Sequence, residues 1–237
     1  GPALHSLRGR KSAAEAELAG IAARMAGEAL QAALASFRRG MTERELAVEI
    51  DRQLRLAGAE GPAFATTVLA GARSALPHGE TGDAPIREGD LLLIDMGARY
   101  GGYLSDMTRT FVVGQGTEEQ AFLYETVKEA NRLATEAVKE GVPLREADEA
   151  ARSWIESRGC GPLFTHRVGH GLGLDIHEEP SVHGRNDNPV ERGMLFTIEP
   201  GVYKEGVGGV RIEDDVYVDE NGAVKVLTTF PRELIRL

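Results

Sequence analysis

Residues 91–111 read LLLIDMGARYGGYLSDMTRTF, two apolar runs that flank a glycine-containing turn. This pattern predicts a β-hairpin with its turn at Tyr100-Gly101, so that Asp95 and Asp106 face each other across the two strands. Aspartate forms strands poorly, and like charges at facing positions destabilise a sheet because their Cβ atoms lie only about 4.5–5.5 Å apart. A bound cation is the simplest compensation, since Leu91–Ile94 read as buried on both faces and argue against solvated aspartates.

A second acidic pair has the same setting further along the chain. The apolar stretches 194–203 (MLFTIEPGVY) and 209–218 (GVRIEDDVYV) flank a glycine-rich turn. With that turn centred at Gly206, Glu199 lies opposite Glu213. Two acidic pairs inside apolar strands are much less expected by chance than one, so a shared cation site is favoured over two solvated pairs.

Three histidines lie between the two hairpins, at positions 166, 170 and 177 of the glycine-rich segment HRVGHGLGLDIHEEP. Glycines permit a close approach of the backbone. Four carboxylates with one imidazole would be balanced by two divalent cations. Oxygen ligation with one nitrogen suits Mn²⁺, Co²⁺, Fe²⁺ or Zn²⁺. Two such ions about 3.5–4 Å apart can activate water and stabilise an oxyanion.

The order of predicted elements repeats once along the chain. The predicted helices are 12–39, 42–56, 117–140 and 144–157, and the predicted strands are 64–69, 90–97 and 102–113, with strands and glycine loops from 163 onward. The motif GMTERE at 40–45 is echoed by GVPLRE at 141–146. The repeat predicts two related α+β halves packed around one core, and chance similarity of the helix boundaries is the alternative.

Composition is that of a globular protein. The 237 residues suffice for one large domain or two small ones, and 42% hydrophobic with 27% charged residues exclude a disordered chain. A net charge of −10 argues against nucleic-acid binding. No apolar run reaches the ~18 residues of a membrane span, so no membrane is expected as a partner. One cysteine, Cys160, excludes an internal disulfide and predicts a cytoplasmic protein, as does a start that does not read as a signal peptide.

Together these motifs resemble the pita-bread metallopeptidases, the family of prolidase, aminopeptidase P, methionine aminopeptidase and the non-metal enzyme creatinase. The resemblance extends from about Leu7 to Leu237 and rests on IDMGARYGGYLSDMTRTF, HRVGHGLGLDIHEEP, FTIEPGVY and GGVRIEDD. It implies an α+β pita-bread fold with two pseudo-symmetric halves around a curved antiparallel sheet. Residues 1–237 are then a single catalytic domain. The additional N-terminal domain usual in Xaa-Pro peptidases is expected to be absent, through truncation or as a natural single-domain form.

The resemblance also implies a dinuclear metal site. The implied metal ligands are Asp95, Asp106, His170, Glu199 and Glu213. Two of them, Asp106 and Glu213, would bridge two divalent ions, which can be Mn, Co, Zn or Fe, with Mn favoured.

The remaining site residues follow from the same resemblance. Glu199 would also act as general base, and His177 would hydrogen-bond the carbonyl oxygen as it becomes anionic. His78 would lie near the scissile bond and the leaving group. On the substrate side, His166 would line the pocket for the residue after the scissile bond. Arg211 would hold the carboxylate of Asp95 in place.

The function implied is hydrolysis of Xaa-Pro bonds by a prolidase or aminopeptidase P type of exopeptidase. An Xaa-Pro bond is a tertiary amide without an N–H, which explains the need for a dedicated enzyme. A methionine aminopeptidase is the first alternative, and Arg211 within VRIED argues against it. A non-catalytic binding module is the second, and the five ligands argue against that. The expected partners are proline-containing peptides or dipeptides; their length, the metal and whether the protein is a homodimer stay open.

Overall fold

The computed structural model describes residues 7–76 and 78–237 as a mixed α+β protein. Its long helices are α1 (Ala13–Ala35), α2 (Glu43–Leu56), α3 (Glu118–Ala137) and α4 (Arg145–Ser157). Its strands are β1 (Gly61–Pro62), β2 (Thr67–Ala70), β3 (Leu91–Met96), β4 (Ala98–Tyr100), β5 (Tyr103–Leu104), β6 (Met107–Val112), β7 (Gly169–Gly171), β8 (Glu178–Val182), β9 (Leu195–Ile198), β10 (Gly201–Lys204), β11 (Gly208–Arg211), β12 (Asp214–Val218) and β13 (Val224–Val226). Among the described residues, none of the helices combines the length and the apolar character that a bilayer crossing requires.

Three of these helices begin at the capping boxes that the sequence predicts. Ser12, Thr42 and Thr117 each accept a hydrogen bond from the backbone N–H three residues on, and the side chain there binds back to the cap. Each box satisfies two donors that a helix start otherwise leaves unpaired. Helix α1 ends at Ala35, earlier than predicted, and the backbone N–H and the hydroxyl of Ser36 both donate to Ala33 O in its last turn.

The elements form two halves of similar build. In the first half, α1 and α2 pack together beside a sheet ordered β2-β3-β6. In the second half, α3 and α4 pack together beside a sheet ordered β13-β12-β9-β7-β8. Each half has its own large cluster of buried apolar side chains. The predicted pair of α+β halves is therefore confirmed, although the buried apolar side chains form separate clusters and not the one predicted core.

The first predicted hairpin is present, but its register differs from the predicted one. Asp95 on β3 pairs with Thr108 on β6, so its predicted direct pairing with Asp106 is wrong. The turn is Gly101-Gly102, one residue later than predicted. Both glycines have positive φ, 57° and 80°. A tight hairpin turn requires this conformation at both central positions, and a tyrosine adopts it poorly.

The error in register preserves the face on which the two carboxylates lie. Asp95 faces the residue two positions beyond Asp106, and side chains alternate along a strand with a period of two. A one-residue error would have moved Asp106 to the opposite face. The backbone N–H of Asp106 donates to the Asp215 carboxylate at 3.0 Å, at the break between β5 and β6.

The second hairpin has the predicted register. The β10–β11 and β9–β12 ladders share one register, which places Glu199 opposite Glu213 in the gap between them. Pro200, which has no N–H to donate, lies at this gap. The backbone N–H of Glu213 donates instead to Thr108 O at 3.1 Å and joins the second half to the first. We call this junction between Thr108 and Glu213 the seam.

A buried carboxylate holds the loop that carries His78. Glu43, in the first turn of α2, is fully buried and accepts the backbone N–H groups of Ala70 and Gly82, each at 2.9 Å. Arg73 binds the same carboxylate at 2.9 Å. Glu43 therefore fastens the loop at both of its ends.

We expect Glu43→Ala to lower the free energy of unfolding by about 1–3 kcal/mol, because two backbone N–H groups would lose their acceptor. Urea unfolding followed by circular dichroism measures the change. Asp83→Ala, which removes the exposed partner of Arg44, is the matched control and should leave the unfolding curve unchanged. Equal effects of the two substitutions would contradict the role assigned to Glu43.

Candidate metal centre

A cleft of about 360 Å³ opens at the seam and collects the site residues that the sequence predicts. All nine line it: His78, Asp95, Asp106, His166, His170, His177, Glu199, Arg211 and Glu213. Phe64, Arg167, Ile176 and Tyr203 complete the lining. The cleft is therefore acidic and imidazole-rich, with apolar side chains at its edge.

A carboxylate–imidazole cluster forms the centre of the cleft. Asp106, His170 and Glu213 are buried, and each offers one ligand atom within 4.8 Å of the others. His170 Nε2 lies 3.5 Å from Asp106 Oδ2 and 3.2 Å from Glu199 Oε1. His170 Nδ1 lies 3.0 Å from Gly171 O. A carbonyl can only accept, so Nδ1 carries a proton, and Nε2 is the ring nitrogen that faces the carboxylates.

Threonine hydroxyls orient two of the glutamates. Thr108 Oγ1 donates to Glu213 Oε2 at 2.5 Å, across the seam. Thr197 Oγ1 donates to Glu199 Oε1 at 2.9 Å. Each threonine lies on a β-strand, so its hydroxyl is fixed by the sheet and limits the rotation of the carboxylate that it binds.

Asp95 is held by an arginine on one side only. Arg211 Nη2 donates to Asp95 Oδ2 at 2.7 Å. The second oxygen, Asp95 Oδ1, is buried and has no hydrogen-bond partner among the described residues. Buried polar atoms are nearly always paired, so an unpaired carboxylate oxygen within an acidic cluster indicates a place for a cation.

Burial and mutual repulsion raise the pKa values of the clustered acids. Burial is the largest cause that holds the pKa values of Asp106 and Glu213 well above their usual range, and neighbouring carboxylates add to it. Burial also raises the pKa of Asp95, although Arg211 opposes the shift. A divalent cation would relieve the repulsion among these groups. The donor set and the unpaired oxygen therefore fit a divalent metal site.

A chain of hydrogen bonds links His166 to Arg211, the arginine that binds Asp95. Arg211 Nη1 donates to Tyr203 OH at 2.9 Å, and that hydroxyl lies 2.8 Å from His166 Nε2. His166 Nδ1 lies 2.8 Å from Arg167 O, which can only accept. The tyrosine hydroxyl therefore donates to His166 Nε2. Burial lowers the pKa of His166, in agreement with a neutral ring.

Two further imidazoles face the cleft. The ring centroid of His177 lies 4.4 Å from that of His170. Burial, and then the nearby His170, lowers the pKa of His177, which favours a neutral ring that can donate one N–H. His78 reaches the cleft from the loop held by Glu43 and is exposed.

Sequence reasoning missed Tyr203, Thr108 and Thr197. The signal for Tyr203 was available, because it alternates with Glu199 along one face of the second hairpin, as Arg211 does with Glu213. Thr108 could be assigned only once the register of the first hairpin was known. Threonine is common in strands, so nothing in its type distinguishes Thr197 from a structural residue.

Comparison with known proteins gives a consistent result. The sequence profile of metallopeptidase family M24 matches residues 17–220. The Xaa-Pro dipeptidase of Pyrococcus furiosus is 45% identical over 232 residues, which cover 98% of this chain and 66% of that protein. The chain spans just under two thirds of the length of the first curated relatives that it matches.

Solved structures agree with the fold. The X-Pro aminopeptidase of Thermotoga maritima superposes with a TM-score of 0.96 at 38% identity, over 100% of this chain and 67% of that one. The prolidase of Pyrococcus furiosus superposes with a TM-score of 0.93 at 44% identity, over 97% of this chain and 68% of that one. The predicted α+β pita-bread fold is confirmed.

We expect Mn²⁺ or Co²⁺ to raise the melting temperature of metal-stripped protein, because an ion bound only by the native state stabilises it by mass action. The gain is about 2.7 kcal/mol when free metal is about a hundred times Kd. Differential scanning calorimetry measures the shift. Glu213→Gln should abolish it and Asp83→Asn should retain it. A melting curve that metal leaves unchanged would exclude a high-affinity site.

Proposed function

Since the chain belongs to metallopeptidase family M24, we propose that it is a dinuclear-metal-dependent exopeptidase that hydrolyses Xaa-Pro peptide bonds, of prolidase or aminopeptidase P type. The observation that carries the proposal is the buried cluster of Asp106, His170 and Glu213, whose ligand atoms lie within 4.8 Å of one another. Similarity to an Xaa-Pro dipeptidase over 98% of the chain supports the same activity. We assign residues 1–237 to its catalytic domain.

Two divalent ions are the proposed cofactors. The five residues that would hold them are Asp95, Asp106, His170, Glu199 and Glu213. Mn²⁺ is our first choice, because oxygen donors dominate the set. Bound there, the ions would supply Lewis-acid activation of water and of the scissile carbonyl.

The chain's own residues supply the proton transfers. Glu199 lies at the cluster with one oxygen held by Thr197, so its carboxylate is placed to take a proton from the attacking water. The leaving nitrogen of proline needs a proton to depart as an amine. Glu199 can return the proton it has taken, because the same carboxylate serves as base and then as acid. His78, at the cleft edge, would orient the leaving group.

Charge that develops on the carbonyl oxygen requires a fixed donor. His177 is proposed for this role, because its neutral ring lies against His170 and can donate an N–H into the cleft. Such a donor acts on the charge of the transition state more than on the substrate, so it raises the rate and not merely the affinity.

We propose that the cleft recognises proline by its ring, because the Xaa-Pro bond offers no N–H for the enzyme to bind. A tertiary amide has no N–H, so the enzyme must recognise the ring and the flanking groups. His166, held by Tyr203, would line the pocket for proline, and Phe64 and Ile176 add apolar surface. Arg211 within VRIED and the relatives above disfavour a methionine aminopeptidase. The convergence of all five ligands disfavours a non-catalytic module.

The location of the protein is proposed from its cysteine. Cys160 is buried and free, and a buried thiol of this kind stays reduced in the cytoplasm. We therefore propose a cytoplasmic enzyme whose substrates are proline-containing dipeptides or short peptides.

We expect hydrolysis of Xaa-Pro or Xaa-Pro-Yaa peptides in the presence of Mn²⁺, Co²⁺ or Zn²⁺, because the chain is similar to an Xaa-Pro dipeptidase and its cleft gathers the proposed metal ligands. A chromatographic assay of released amino acids measures it, with Met-Ala-Yaa as the comparison substrate. Cleavage of Met-Ala-Yaa alone would replace the proposed specificity with that of a methionine aminopeptidase. No cleavage of any substrate with both metals bound would favour a non-catalytic protein.

We expect His177→Ala to keep its metal and to lose about 10²–10³ in kcat, the usual cost of removing one oxyanion donor. Glu213→Ala should lose metal and activity together, since it removes a proposed metal ligand. Elemental analysis and steady-state kinetics separate the two outcomes. His183→Ala, which changes a histidine outside the cleft lining, is the control and should keep both. Loss of metal in His177→Ala would reject the oxyanion role.

A further inference from the structure

We infer that Arg109 and Asp214 are positioning residues that hold the ligand Glu213 in place and couple it to the C-terminal segment Thr228–Arg232. The inference rests on the proposed function, because it takes Glu213 as a metal ligand. It assigns a role to a buried ion pair that the proposed chemistry does not use.

The pair lies directly behind the metal centre. Arg109 follows Thr108 in the chain and Asp214 follows Glu213, and neighbouring residues of a strand point to opposite faces. Thr108 and Glu213 therefore face the cleft while the pair faces the interior. Arg109 is 1% exposed and Asp214 is 0% exposed.

Arg109 fixes the backbone on both sides of the seam. Its Nη1 donates to Thr108 O at 2.9 Å and to Glu213 O at 2.7 Å. Its Nη2 donates to Asp214 Oδ1 at 2.7 Å. One guanidinium thus holds the peptide of a ligand from the second half and the peptide of the threonine that orients it from the first half.

The remaining donors of Arg109 reach the C-terminal segment. Nε donates to Pro231 O at 2.9 Å, and Nη2 also donates to Phe230 O at 2.8 Å. Every N–H of the guanidinium is therefore used, in a planar fork that lysine cannot reproduce.

Asp214 is bound just as completely. Arg109 and the Thr228 hydroxyl donate to Oδ1. Arg232 donates to Oδ2 at 2.8 Å, and the Asn131 amide donates to it at 3.2 Å. Two of these four donors come from the C-terminal segment. Displacing that segment would leave the Asp214 carboxylate underbound and would free the peptide that carries Glu213.

A purely structural pair and a positioning pair differ in one measurable respect. If the segment only stabilises the fold, loosening it lowers the melting temperature and leaves metal affinity unchanged. If it positions Glu213, loosening it also weakens metal binding. Coupling is reciprocal, so bound metal must then tighten the segment.

The test uses Arg232→Gln, which removes one charged donor to Asp214 from a half-buried side chain and leaves Arg109 in place. Arg236→Gln is the matched control, with the same change of charge at an exposed position four residues beyond the segment. Calorimetric titration of the metal-stripped proteins with Mn²⁺ gives Kd. We expect Arg232→Gln to raise Kd about 10–100-fold, the usual effect of losing a group that orients a ligand, and the control to leave it unchanged.

A second measurement needs no variant. Hydrogen exchange of the unmodified protein, with and without Mn²⁺, should slow with metal for peptides that cover 227–237. Equal Kd values for Arg232→Gln and the control, or exchange in 227–237 that metal leaves unchanged, would overturn the inference while the proposed function stands. An unmodified protein that binds no Mn²⁺, Co²⁺ or Zn²⁺ would overturn both.

Discussion

Repulsion among the acidic side chains at the seam is the constraint on which the rest of the structure depends. Ligand atoms of Asp106 and Glu213 lie within 4.8 Å of each other in a buried position, with Asp95 and Glu199 beside them. Two unit charges 4 Å apart repel by about 4 kcal/mol at an effective dielectric of about 20. The apolar strands around the cluster must offset this energy. Burial is the largest cause of the raised pKa values of Asp106 and Glu213, and repulsion from the neighbouring acids raises them further.

Each half of the protein supplies a hydrogen-bond donor to an acid of the other half at their junction. The first half contributes Thr108 to orient Glu213, and the second contributes Arg211 to hold Asp95. Each half therefore supplies the partner that the other half's acid lacks, so the cluster forms only when both halves are packed together. A cluster assembled in this way depends on the packing of both halves, in agreement with the wide separation of its residues in the sequence.

The sequence predicts the helices, the strands and the residues that line the site better than it predicts the hydrogen bonds among those residues. Capping boxes and glycine stops locate helices because they act within a few residues. The register of the first hairpin fails by two residues, because Gly101-Gly102 and Tyr100-Gly101 read alike until the need for positive φ at both positions is applied. The carboxylates still converge, since a period of two tolerates an even error. Thr108 and Asp215 could not be found, because their contacts with Glu213 and Asp106 depend on how separate strands and loops pack.

The adjacent residues Glu213 and Asp214 show why the acidic cluster needs a cation although the chain has 27 basic residues. Burial alone would raise the pKa of Asp214, but Arg109 and Arg232 outweigh it and hold that pKa below its usual range. Burial also acts on Glu213, one residue earlier, and there the neighbouring acids increase the shift. Because neighbouring side chains point to opposite faces, Asp214 lies in an interior where arginines surround it. Glu213 lies in the cleft, where acids outnumber arginines. Arg109 and Arg232 thus bind Asp214 on the interior face, where they fix the backbone behind Glu213. The front face has four acids against two arginines in the cleft lining and an unpaired oxygen on Asp95, so a bound cation would relieve the repulsion there.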